Sequence, residues 1–125
     1  MTPPPLRVLL VEDNDVYRST LVLLLHGRDG IEVVGEVADG SEVAAAVAEH
    51  APDVVVMDYR LPGLQGDEVA AVIHAADPSV AVVCLTAEAT PEERARILAA
   101  GVSGVLEKGC STAEIVDAIR SAGAP

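Results

Sequence analysis

Five short apolar runs, at 6–11, 31–37, 54–58, 80–86 and 104–107, recur along the chain, and the stretches between them have helical character. Such an alternation indicates a βα series whose strands lie parallel in one sheet with helices packed against it. Parallel strands are covered on both faces, so they read as near-continuous apolar runs rather than as alternating ones. The composition agrees: half of the 125 residues are hydrophobic, almost all of them Val, Ala, Leu and Ile, and Tyr17 and Tyr59 are the sole aromatics. A chain of this length is expected to form one domain with a sizeable core.

The intervening segments carry helix signals with a mechanism. Thr90, Pro91 and Glu93 predict a capping box with proline in the first turn, and Ser111 with Glu114 predicts a second box before the last helix. Val69, Val72, Ile73 and Ala76 fall on one helical stripe that faces the sheet, as do Val43 with Val47 and Ile115 with Ile119. Gly101 stands where a helix ends, at a position suited to positive φ.

Composition also excludes functions. A formal charge of -12 disfavours direct nucleic-acid contact, which depends on Lys and Arg displacing counterions from phosphates. The longest apolar run, 80–85, is far short of the ~20 residues that cross a bilayer, so no membrane span is expected. Residues 1–5 lack a basic and apolar leader pattern, which predicts a cytoplasmic location. The expected organisation is an N-terminal leader at 1–5, the domain at 6–122 and a tail or linker start at 123–125. Cys84 and Cys110 are not in a C-x-x-C arrangement and read as a buried strand thiol and a loop thiol. His26, His50 and His74 read as surface residues near helix ends.

Parallel strands joined by right-handed crossovers bring their carboxyl ends to one edge of the sheet. The strands here run into Glu12 and Asp13, Asp58, Thr86, and Glu107 with Lys108. Carboxylates gathered there repel unless a cation lies between them, and an all-oxygen set with few protein ligands suits Mg²⁺, or Mn²⁺ in its place. Lys108 adds a fixed positive charge and Thr86 a hydroxyl, both suited to holding phosphoryl oxygens, with Asp58 as the nucleophile. Each residue alone also has a structural reading. Asp13, Asn14 and Asp15 could cap the first helix, Asp58 could precede a turn at Pro62 and Gly63, and Lys108 could be a solvated charge.

Taken together, V-E-D-N at 11–14, M-D-Y-R-L-P-G at 57–63, L-T-A at 85–87 and G-V-L-E-K at 104–108 resemble the receiver domains of bacterial response regulators. The resemblance covers nearly the whole chain and is nearest to the branch that often carries a C-terminal helix-turn-helix domain. It implies a flavodoxin-like, doubly wound α/β fold with five parallel strands in the order 2-1-3-4-5. It further implies that Asp58 is phosphorylated by a sensor histidine kinase, and that Asp13, Asp58 and the backbone carbonyl of Arg60 ligate Mg²⁺. Glu12 then acts through a metal-bound water, Lys108 contacts the phosphoryl group, and Thr86 is the switch hydroxyl. The resemblance also implies that a protein-protein surface made by the last two helices and the last strand carries the response, controlling transcription through an output domain outside this chain. Whether the chain is a monomer or a homodimer is left open by the sequence.

One position departs from the family pattern. Val105 stands where a Tyr or Phe usually precedes the lysine by three residues. A β-branched valine has few rotamers to exchange, so the expected readout passes through the loop after Thr86 and the helix from Pro91, with weak coupling to the last strand. Three other classes fit the sequence less well. A phosphatase of the haloacid-dehalogenase type needs a second acid two residues after the nucleophile, where this chain has Arg60. A flavodoxin-like cofactor carrier needs a phosphate loop after the first strand, which is missing. A degenerate receiver acting as a phosphorylation-independent scaffold is opposed by the intact Asp13, Asp58 and Lys108.

Overall fold

In a computed structural model, described for residues 4–61, 64–87 and 90–124, regular structure runs from Leu6 to Ala122. The turn expected at Pro62 and Gly63 lies outside the described residues, as do 1–3 of the leader and 125 of the tail. Five strands form the main sheet: β1 (Leu6–Val11), β2 (Ile31–Val37), β3 (Val54–Asp58), β4 (Ala81–Thr86) and β5 (Gly104–Glu107). Every pairing is parallel and the order is 2-1-3-4-5, as the resemblance implied. The fourth strand starts one residue later than its apolar run, because Val80 packs as a buried residue before the ladder begins.

Helices α1 (Asp15–Leu25), α2 (Val43–His50), α3 (Gly66–Ala76), α4 (Pro91–Ala99) and α5 (Thr112–Ala122) cover both faces. Strand side chains alternate between the two layers. Leu9, Val11, Val55, Met57, Val82 and Cys84 join the core beneath α2, α3 and α4, while Val8, Leu10, Val54, Val56, Val83 and Leu85 join the core beneath α1 and α5. This two-sided burial is the physical reason that the strands are apolar throughout.

Side-chain caps mark four of the five helix starts. The Ser111 hydroxyl accepts from the Glu114 N–H at 3.1 Å, and the Glu114 carboxylate returns to the Ser111 N–H, completing the box. Thr90 accepts from the Glu93 N–H at 3.1 Å, but the Glu93 carboxylate lies 3.8 Å from the Arg60 guanidinium, so the expected box on α4 is only half made. Gly101 has φ +93°, as a helix stop requires. The start of α3 carries no signal read from the sequence. There Gln65 and Glu68 form a capping box, and a Cβ on Gly66 would come within 2.5 Å of the Tyr59 ring. Between β3 and α3, Arg60–Leu61 and Leu64–Gln65 pair as a short antiparallel hairpin.

The histidines are structural. The His26 ring accepts from the Val33 N–H at 3.0 Å, His50 is half-buried beneath Gly35, and His74 lies beside Gly101. No described helix is long and apolar enough to cross a membrane.

Candidate functional site

Glu12 and Asp13 follow β1 directly, and their neighbour Asn14 caps α1 by accepting from the Tyr17 N–H at 2.8 Å. The capping role is thus taken by Asn14, and Asp13 is free to face the sheet edge. Asp58 ends β3, Thr86 ends β4, and Lys108 follows β5. Asp58 Oδ1 accepts from the Arg60 N–H at 3.2 Å, which fixes the carboxylate at the end of its strand.

The sheet brings the sequence-predicted residues together. One oxygen each of Glu12, Asp13 and Asp58 lies within 4.8 Å of the others, a spacing that could hold a metal ion. Glu12 is 2 % and Asp58 8 % exposed, whereas Asp13 is open to solvent. An all-carboxylate donor set of this size fits a hard divalent cation such as Mg²⁺ better than a softer metal.

Lys108 Nζ donates to Glu12 Oε1 at 2.9 Å and to Asp58 Oδ2 at 3.1 Å. It also stands 4.8 Å from the centroid of the Tyr17 ring. Burial pushes the Glu12 carboxyl up to about 7, and the charge of Asp58 adds to the rise while the hydrogen bond from Lys108 opposes it. Burial works against the Lys108 ammonium, but its bonds to Glu12 and Asp58 outweigh that cost and hold it above the usual lysine range. One ammonium therefore stands against two buried carboxylates.

Thr86 is buried beside this cluster. Glu107, which shares a strand end with Lys108, is exposed and stands apart from the carboxylate group. Sequence reasoning missed two residues. Tyr17 underlies the lysine from the first turn of α1, and Arg18 donates to the Glu12 main-chain carbonyl at 2.7 Å. The Asn14 cap could have placed both on the first turn, but not against a lysine some ninety positions away. Cys84 is a buried thiol pushed up to about 12 by burial, and Cys110 is half-buried, in keeping with structural roles.

A doubly wound sheet with an acidic triad and a lysine at its carboxyl edge defines a small α/β module built to meet charged groups where the strands end. The chain belongs to the response regulator receiver domain family, whose model matches residues 8–120. It is 37% identical over 115 residues to the response regulator GacA of Pseudomonas viridiflava, covering 92% of this chain and 54% of that protein. It is 35% identical over 116 residues to the response regulator UvrY of Escherichia coli (strain K12), covering 93% and 53%. The chain thus spans about half the length of the curated relatives it matches. Among solved structures, the signal receiver domain of NarL from Mycobacterium tuberculosis superposes with a TM-score of 0.90 at 31% identity, covering 97% of this chain and 98% of that one.

Proposed function

We propose that Asp58 is the phosphoacceptor of this receiver domain and that a sensor histidine kinase is the donor. In the transfer, an Asp58 carboxylate oxygen bonds to phosphorus as the phosphorus–nitrogen bond of a phosphohistidine breaks, leaving an acyl phosphate on the strand end. The observation that carries this reading is the convergence of Glu12, Asp13 and Asp58 within 4.8 Å, with Lys108 bonded to two of them.

Asp13, Asp58 and the Arg60 carbonyl would hold Mg²⁺, with Glu12 acting through a bound water. When bound, the ion supplies charge neutralisation between Asp58 and the incoming phosphoryl oxygens. Lys108 is positioned to follow its present partner, Asp58 Oδ2, and to neutralise a phosphoryl oxygen. Thr86 offers its hydroxyl to the same group, and its movement selects the second of two conformers. The response then reaches transcription through an output domain beyond this chain. The -12 charge leaves nucleic-acid contact to such a domain.

Intact-mass measurement after incubation with acetyl phosphate, with and without Mg²⁺, tests the proposal on wild type and Asp58→Asn. A metal-dependent phosphoryl adduct that the variant lacks supports it. No adduct under any condition overturns it in favour of a scaffold.

A further inference from the structure

The helix that follows the switch hydroxyl is the most weakly anchored of the five. α4 buries Ile97 alone, whereas α1 buries two residues, α2 and α5 three and α3 four. Its capping box is half made, as described above. What supplements Ile97 is Arg94, whose Nη1 donates to the main-chain carbonyl of Val105 at 3.1 Å. A charged donor on a carbonyl is one of the stronger hydrogen-bond types.

This contact sits where the side chain of Val105 is least able to act. Val105 lies opposite Cys84 in the β4–β5 register, and the Lys108 N–H bonds the Thr86 carbonyl at 2.7 Å just beyond it. Besides the β4–β5 ladder itself, β5 is therefore held from α4 by the Arg94 bond. Valine in the aromatic position implies weak coupling to the last strand through its side chain. The bond from Arg94 reaches that strand through its main chain instead.

We infer that Arg94 is a positioning residue that latches α4 to β5 in the unphosphorylated domain and sets how readily the switch leaves that state. The inference rests on the reading of Asp58 as phosphoacceptor. Arg94 lines an open groove of about 510 Å³ beside β5, together with Val105, Lys108 and Glu114, so its guanidinium can leave the carbonyl without disturbing the core. By linkage, a contact made only in the resting conformer weakens any ligand that favours the other.

The test uses beryllofluoride with Mg²⁺ as the phosphoryl mimic, titrated into wild type, Arg94→Ala and Arg94→Lys, with amide spectra and thermal unfolding recorded for each. Arg94→Ala is expected to bind the mimic about five-fold more tightly. Its responses at Val105 and Leu106 should fall away while those at Thr86 and Ala87 persist. Arg94→Lys, which keeps a charged donor, should lie between. Loss of thermal stability without a gain in affinity would mark a merely structural residue and overturn the latch. Undiminished responses at Val105 and Leu106 in Arg94→Ala overturn it too, and either result leaves the phosphoacceptor reading standing. If wild type does not bind the mimic, or Asp58→Asn binds it equally well, both inferences fall together.

Discussion

Val56 and Met57 on β3 vanish between two layers of helix, whereas Asp58, one residue further along, faces Glu12 and Asp13 across a gap bridged by Lys108. The strand bodies gain free energy from every methylene removed from water, while the strand ends hold carboxylates that burial disfavours. The same sheet therefore stabilises the domain along its length and spends part of that gain at one edge. The difference teaches that the core sets where the strand ends lie, and the bonds from Lys108 and the Arg60 N–H then hold the carboxylates there.

Truncation in the strand bodies or beneath them should produce the largest effect. Ile73→Ala, at a fully buried position on α3, is expected to cost about 2–5 kcal/mol in urea denaturation. A cost below about 1 kcal/mol would show that the body is less tightly packed than the comparison requires. Next comes the junction between body and edge. Gly66→Ala drives a methyl to within 2.5 Å of the Tyr59 ring and 3.1 Å of its Cα, and about 1–3 kcal/mol should be lost.

At the edge the sign should reverse. Because the folded Glu12 carboxyl titrates near 7 rather than 4.5, the native state holds more protons than the unfolded state between those values. Metal-free stability therefore falls as pH rises through that window, and the penalty is fully present above it. Glu12→Gln should raise stability at pH 8 by on the order of 1 kcal/mol in chelator, and the gain should disappear below pH 4.5. Saturating Mg²⁺ should favour wild type and narrow the gap. A variant less stable than wild type at pH 8 without metal would break the comparison.

The smallest effects concern the two helices that flank β5. Ser111→Ala removes one half of a complete box and should cost about 1 kcal/mol, whereas Thr90→Ala, on the half-made box, should cost about 0.5 kcal/mol. Equal losses, measured by thermal unfolding, would erase the distinction between a firmly started α5 and a loosely started α4.

Much of this was legible without coordinates. The strands at 6–11, 31–37, 54–58 and 104–107 match their apolar runs, and the carboxylates and the lysine stand at the ends of those runs in the sequence itself. The Gln65 cap, the hairpin at Arg60 and the redirected Glu93 were not legible, because each depends on which residue a neighbouring element presents.

Period, polarity and strand-end chemistry are written locally, so the sequence alone determined a parallel βα domain with Glu12, Asp13, Asp58, Thr86 and Lys108 at one edge. Only the tertiary structure decided that Lys108 bonds Glu12 as well as Asp58, that Tyr17 lies beneath it, and that Arg94 reaches the Val105 carbonyl. Those contacts join residues on different elements, from 11 to 96 positions apart, and their geometry exists only after the sheet has set the distances between strand ends.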